Sequence, residues 1–525
     1  MTLSRPNASA ATMTRRRVES WSPMSGLCAT CIDGCPGFCE VGMSAYRGAE
    51  VIYPQPFGKV TAGAEKHYPY DFSYINIMGT AVGAVGIEAN SDVAVFPNVN
   101  LETKIGRDGS IKMRLPWLVA GLGSTKVAKD NWDGLAIGTA ISGVPLTIGE
   151  NVCGMDPESV IENGKVVRSP DMEYRVKTYQ KWQDEGYGAV ILQGNVEDTR
   201  LGVQEYAIRE LGVEAVELKW GQGAKDIGGE VKLTTLERAL KLHERGYVVV
   251  PNPTDPTVQA AFKAGAISEF ERHSRLGMVD RDGFFGRVQE LRDAGAKYVS
   301  LKTGAYRPAD LARAVRWACE AELDLLTVDG AGGGTGMSPW PMMNEWGVPT
   351  LEIESLLFQY FEKMKAKGLY TPPVAIAGGF TLEDHIFKGI ALGAPYVKAV
   401  AQARSPLTAC MVGKTLGEMI RSGKGKILET HGKSVEEVFI LAEELKAKYG
   451  NETFKEIPTS AIGLYTYYQR VAQGLRQLMA GERKFALEHI TRDDIAALTP
   501  EVAKLTGINY IMDVDKEEAE RILNE

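Results

Sequence analysis

Between residues 115 and 400 the chain alternates between two kinds of hydrophobic pattern. Short apolar, β-branched runs fall at 116–120, 144–148, 189–193, 215–219, 247–250, 298–302, 324–329, 374–377 and 396–400. Between several of them lie stretches such as PADLARAVRWACEAE (308–322), whose apolar residues recur at steps of three and four. Strands that alternate with helices are parallel, because parallel neighbours need a crossover long enough to hold a helix. Nine candidates over this span predict an eight-stranded (β/α)8 TIM barrel with one strand to spare; a doubly wound open sheet is the competing architecture.

The barrel is assigned to residues 115–412, with an N-terminal extension at 1–114 and a helical region at 413–525 packed on it. A net charge of −8 argues against a nucleic-acid partner, since phosphate backbones select cationic surfaces. No apolar run approaches the roughly 20 residues that span a bilayer, and none follows the Arg15–Arg17 run. The N-terminus therefore reads as a surface arm of a cytoplasmic protein. Residues 41–114 look like a cap: the small-residue stretch GTAVGAVGIEA suits close packing, and VAVFPNVNLETKIGRDGSIKMRLP reads as strand, turn, strand around Arg107-Asp108-Gly109.

Four of the seven cysteines, Cys28, Cys31, Cys35 and Cys39, form a C-x2-C-x3-C-x3-C run. Four thiols this close in a reducing compartment can wrap one ion or cluster. The run resembles the bacterial ferredoxin pattern with one residue added, which points to an iron-sulfur cluster, [4Fe-4S] being the form expected; structural zinc and free thiols are the alternatives. Cys153, Cys319 and Cys410 are scattered and read as core.

Chemistry in a (β/α)8 barrel sits at the carboxyl ends of the strands. Those ends read Gly121 to Ser124, Gly149-Glu150-Asn151, Gln193 to Asn195, Lys219 with Gln222 to Lys225, Lys302, Asp329, Gly378-Gly379, and Ala401-Gln402 with Arg404. The sixth of them empties into DGAGGGTGMSP, where five of seven residues from Gly330 are glycine. Such a loop is either flexible surface or backbone lying close to something bulky. Loops after strands seven and eight often cradle a phosphate group with backbone amides, so Gly378-Gly379 suggests a phosphorylated cofactor.

These motifs, taken in order, resemble the FMN domain of glutamate synthase. TRLGVQEYAIRELGVEAVELKWGQGAK (199–225) is similar to that family's RFGVTPEYL through QGAKPGEGG segment, and YVSLK ending at Lys302 to its VSVK strand. DGAGGGTGMSP is similar to its GHDGGTGASP loop, and IAGGF with GIALGAPYV to its VDGG segment and following helix. The resemblance implies FMN across the barrel mouth, its phosphate near Gly378, Gly379, Ala401 and Gln402. It implies further contacts from Gly121, Ser124, Glu150, Gln193 and Lys219, and a substrate face lined by Gly332, Gly333, Gly334 and Thr335. Lys302 would lie beside N1 and the C2 carbonyl, where a cation stabilises the reduced anion, although a salt-bridged structural lysine is the plainer reading. Gln222 and Lys225 are candidates for catalytic contacts; a solvated loop serves equally well for them.

The departures are specific. The family's amidotransferases use a cysteine at the mature N-terminus, whereas Met1 precedes Thr2 here, so this chain by itself is expected not to hydrolyse glutamine. The His-Asp of the family's glycine loop is Ala331-Gly332, QGAKDIGG lacks the family's glutamate, and the cysteine run lies before the barrel instead of after it. The resemblance implies reduction of the imine of 2-oxoglutarate and ammonia to glutamate. The electrons would come through the cluster from a ferredoxin or an NAD(P)H-oxidising flavoprotein subunit. An electron-transfer or reductase subunit of a larger redox complex, acting on a different substrate, is the alternative. Oxidation of a 2-hydroxy acid would need a histidine base at a strand end, and none is found there. Past Cys410, SVEEVFILAEELKAKYG, TYYQRVAQGLRQLMAG and DKEEAERILNE have amphipathic spacing suited to wrapping the barrel or to an oligomer contact, and Thr491 to Asp494 resembles a helix start.

Overall fold

The structure is a computed structural model and describes residues 66–525 apart from 224, 226 and 334–337. Cys28, Cys31, Cys35 and Cys39 lie outside the described residues, as do Gly334 and Thr335. Eight parallel strands close into a barrel: β1 (Trp117–Leu122), β2 (Leu146–Ile148), β3 (Val190–Gly194), β4 (Ala215–Lys219), β5 (Tyr298–Thr303), β6 (Leu325–Asp329), β7 (Val374–Ala377) and β8 (Val397–Gln402). Each pairs with its sequence neighbours and β4 pairs with β5, so the barrel runs in chain order. The eight helices that follow the strands are α1 (Trp132–Ile141), α2 (Pro170–Trp182), α3 (Val203–Leu211), α4 (Arg281–Asp293), α5 (Pro308–Glu320), α6 (Thr350–Ala366), α7 (Glu383–Gly393) and α8 (Arg404–Ser422). The fold is a (β/α)8 TIM barrel.

The spare strand is accounted for. Val248–Val250 pairs antiparallel with Phe270–His273, which also pairs with Glu230–Leu233, in a three-stranded sheet inserted between β4 and α4. Its alternation, with Val248 and Val250 exposed and Val249 buried, belongs to a sheet with one wet face, unlike the continuously buried barrel strands.

Inside the barrel, the lower layer is apolar: Leu118, Ile191, Ala215, Leu325, Ala375 and Ala399 share a cluster with Ile105, Ile111 and Met113. Those three lie on an antiparallel hairpin, Thr103–Ile105 with Ile111–Met113, turned through the Arg107-Asp108-Gly109 segment as expected. The hairpin plugs the amino-terminal end, which leaves the opposite end as the open mouth.

The C-terminal region is bound to the barrel wall by close helix contact. The long helix α9 (Thr459–Gly481) lies on α1 and α8, and glycines four residues apart form the contact. A Cβ at Gly138 would meet Leu464 Cβ at 2.9 Å, and one at Gly413 would meet Thr459 O at 2.5 Å. Helix α8 runs through position 412, so no break in secondary structure separates barrel from tail there. Two expectations change. Thr491 to Asp494 caps a single 3-10 turn, Arg492–Asp494, because the apolar residues after it extend into a strand, Ile495–Ala497, that pairs with Ile75–Ile77. The small-residue stretch from Gly79 to Ala89 is largely exposed, with Val82 82% exposed, since Gly83 and Gly86 take positive φ in a surface loop. Among the described residues no helix is long and apolar enough to cross a membrane.

Replacing Gly413 by alanine drives a methyl into the α9 backbone and is expected to cost about 1–3 kcal/mol. Gly286→Ala, in α4 with open space around its Cβ, is expected to gain up to about 1 kcal/mol. Denaturant unfolding of both variants should show opposite displacements of the midpoint.

Candidate functional site

The mouth is built by inward-facing residues at the ends of β2 to β6, and its strand register brings unlike charges together. Lys302 on β5 is level with Lys219 on β4 and Thr327 on β6. The Lys302 ammonium is almost wholly buried and lies 3.2 Å from Asp329 Oδ2. Burial opposes its charge, but the Asp329 and Glu217 carboxylates reverse the balance and hold its pKa above the ordinary lysine range. Lys219 donates to Glu150 Oε1 at 2.8 Å and to Gln222 Oε1 at 2.9 Å. Burial pushes the Glu150 carboxyl upward, and the Lys219 ammonium outweighs it, bringing the pKa down to about 2.

One layer deeper is Glu217, which the sequence reading passed over as part of strand AVELK. It is buried and accepts from Gln193 Nε2 at 2.6 Å and from Thr327 Oγ1 at 3.1 Å. Burial raises its pKa, while the Lys302 charge and these two donors act against the rise. The oxygen of the Gln193 amide, Oε1, is buried and has no partner among the described residues. Only a glycine fits opposite it: a Cβ at Gly121 would stand 2.7 Å from that oxygen.

Gln222 and Lys225 form a tight turn with reciprocal backbone hydrogen bonds of 3.1 and 3.3 Å. The turn presses against the β6 loop, where a Cβ at Gly223 would meet Gly330 O at 2.1 Å. Burial drives the Lys225 pKa down to about 8; Glu150 resists the fall, and the nearby Lys219 and Arg272 cations add to it. Arg272, on the inserted sheet, is buried beneath its own layer with its guanidinium 5.0 Å from the Tyr247 ring centroid.

The far side of the mouth is different in kind. Gly378 and Gly379 take φ of +122° and +120°, a region closed to other residues. Thr350, which carries no signal in the sequence, ties the two glycine loops together: its hydroxyl lies 3.0 Å from Ala331 O and 2.8 Å from Gly378 O. Gln402 Nε2 reaches Phe380 O at 3.4 Å and Tyr467 Oη at 3.5 Å, while its Oε1 has no partner among the described residues. Arg404, the first residue of α8, has a buried Nη1 without a partner among the described residues, and burial alone lowers its pKa. No side chain caps that helix at Ala403. Ala401, with Ala120 and Ala377, keeps this half of the interior small.

Of the residues expected at the mouth, Glu150, Gln193, Lys219, Gln222 and Lys302 are drawn into one connected group. Gly121 stands against Gln193. Ser124 belongs to it only through its backbone, which donates to Glu150 O at 3.2 Å. Gly332 takes φ +106° in the β6 loop, and Gly333 lies near Asp329, where its Cβ would be 3.2 Å from Oδ1. Besides Glu217, Thr350 and Arg272, the sequence reading missed Asp198, buried behind Glu150 and accepting from the backbone of Asn151 and Asn195. Burial raises its carboxyl to about 7 against the pull of those donors. An Asn195-to-Asp198 capping box was the available signal, since NVED opens a helix.

The fold and its mouth define a (β/α)8 barrel with a buried, charge-paired group at the carboxyl ends of its strands. Residues 273–414 match the model of the conserved region in glutamate synthase. The archaeal glutamate synthase [NADPH] of Methanocaldococcus jannaschii is 31% identical over 206 residues, 38% of this chain and 35% of that protein. That of Archaeoglobus fulgidus is 27% identical over 184 residues, 35% of this chain and 32% of that protein. The match therefore spans about a third of the length of these curated relatives. Among solved structures, a flavocytochrome b2 variant is 12% identical with a TM-score of 0.45, covering 86% of this chain and 81% of that one.

Because the neutral amine is the nucleophile, Lys225 should react with trinitrobenzenesulfonate ahead of surface lysines, with half-maximal labelling near pH 8. Peptide mapping of labelled protein across pH 6.5–10 should single it out, and labelling only near the ordinary lysine pKa of about 10.4 would contradict a desolvated ammonium.

Proposed function

We propose that the chain is an FMN-dependent oxidoreductase of the glutamate synthase type that reduces 2-iminoglutarate, formed from 2-oxoglutarate and ammonia, to glutamate. What carries this reading is the division of the mouth. A paired cation and acceptor, Lys302 and Gln193, stand on one side. On the other, a glycine cradle adjoins an uncapped helix start and an unpartnered guanidinium nitrogen. Gly378, Gly379 and Arg404 suit a phosphate, which a helix N-terminus and backbone amides hold well. Lys302 and Gln193, with Lys219 and Glu150 beside them, suit the polar edge of a flat ring over the mouth. The donor set thus fits FMN, whose contribution when bound is hydride transfer to the imine carbon.

The protein groups do the remainder. Lys302 keeps a positive charge at the ring edge and thereby favours an anionic reduced cofactor. Lys225 and Gln222 face the substrate, and a lysine poised near pH 8 can hold a proton for the nitrogen as the imine becomes an amine. Gly332 and Gly333 would line the substrate face. Cys28, Cys31, Cys35 and Cys39 would hold an iron-sulfur cluster, [4Fe-4S] being the form expected, which would supply one-electron transfer to the site, and a ferredoxin or an NAD(P)H-oxidising flavoprotein subunit would be its donor. A second reading, an electron-transfer or reductase subunit of a larger redox complex acting on a different substrate, is favoured by Ala331. The family's loop carries a His-Asp pair where this chain has Ala331-Gly332, and Ala331 is wholly buried and titrates nothing.

The test is an anaerobic visible spectrum of the protein supplied with FMN, titrated to full reduction and then mixed with 2-oxoglutarate and ammonium. Return of the oxidised band with stoichiometric glutamate is the expected result. A reduced flavin that persists would move the assignment to the second reading, and failure to take up FMN would overturn both. In Lys302→Met the flavin midpoint potential should fall by at least about 30 mV, the two-electron equivalent of a tenfold preference. The direction follows from losing the cation while Asp329 and Glu217 remain.

A further inference from the structure

Glu217 is a buried carboxylate that contacts neither solvent nor the rim of the mouth. Its two oxygens accept from two different strands, Gln193 on β3 and Thr327 on β6, and it lies under the Lys302 charge on β5. A carboxylate that accepts at both oxygens has no proton to give, so the amide of Gln193 can approach it only through its NH2. The opposite arrangement would set oxygen against oxygen. Gln193 Oε1 is thereby forced to the β1 side, where it is buried, unpartnered and fronted by Gly121 in place of any larger residue. A buried acceptor left open is costly unless a donor comes to it.

We propose that Glu217 is a positioning residue that locks the Gln193 amide with its carbonyl oxygen free, so that the site selects a ring presenting an N–H at that point, the imide N–H of a flavin. The inference rests on the flavin reading above. Glu217 does not touch the ligand; it fixes which end of Gln193 does. Thr327 completes the lock by holding the second oxygen, and the Lys302 charge acts against the rise in the carboxyl's pKa that burial causes.

The probes are FMN and N3-methyl-FMN, which lacks the imide donor, each titrated into the full chain with flavin fluorescence quenching as the readout. The wild-type protein should bind FMN about tenfold or more tightly than the methylated analogue, the value of one buried hydrogen bond. In Glu217→Gln the neutral amide can accept or donate, Gln193 is free to turn, and the ratio should fall toward one. The FMN potential should rise in the same variant, opposite to the effect of losing Lys302. Gln193→Leu, which removes the acceptor itself, should give the same loss of discrimination and decides the matter if Glu217→Gln does not fold. Discrimination unchanged in either variant would overturn the role of this pair while leaving FMN binding by the wild-type protein intact. A wild-type protein that binds neither flavin would overturn the flavin reading and this inference with it.

Discussion

A lysine ammonium inside a barrel has to be neutralised by groups that reach it from the neighbouring strands, because water cannot do so. Lys302 is that group, and Asp329 on β6 and Glu217 on β4 are its counter-charges. The requirement spreads outward. Glu217 needs donors for its remaining lone pairs and takes them from Gln193 and Thr327; Lys219, one position further up β4, needs Glu150. Removing one member of such a group strands the other charge at about 3–5 kcal/mol, far more than the intact pair contributes to stability. The polar half of the mouth is therefore an all-or-nothing arrangement, and its specificity of geometry matters more than its net energy.

The other half of the interior obeys the opposite rule. Ala120, Ala377 and Ala401 give β1, β7 and β8 short side chains level with the charged group, and Gly378 and Gly379 follow immediately. Small residues on one side and long charged ones on the other make the barrel lopsided. The reading proposed above, a flat ligand with an anionic arm, depends on this asymmetry. Thr350 fixes the two glycine loops to each other, so this side of the mouth is held in place despite its glycine content.

The barrel was legible because its strands are largely apolar runs, and the eight that close it end in, or are followed at once by, glycine or a polar residue. The ninth run, at Tyr247 to Val250, passed the same test on composition, but Pro251 and the alternation of Val248 to Val250 are the marks of an antiparallel insert. The other two strands of its sheet, Phe270–His273 beside it and Glu230–Leu233 beyond, carry too many charges to read as strands in isolation. At the site, residues at strand ends were visible, whereas Glu217 was hidden by its position in the middle of a strand. Period-two patterning says that Glu217 shares a face with Lys219; only closure of the barrel says that this face is the inside. Asp198, Thr350 and Arg272 depend on loops and an inserted sheet folding back on the mouth, which no local pattern encodes.

The segment that follows residue 65 bears on the mouth as well. Tyr68 packs against Ala305 and Ala331, one from each of the loops that follow β5 and β6, and Phe72 lies edge-on to Phe380 after β7. A few residues later Ile75–Ile77 is stitched to Ile495–Ala497 near the other end of the described chain. The strap around the rim is thus buckled by a strand about 420 residues away in sequence, the separation of the paired positions. A cut in the tail would thus loosen one wall of the mouth without touching any residue that lines it.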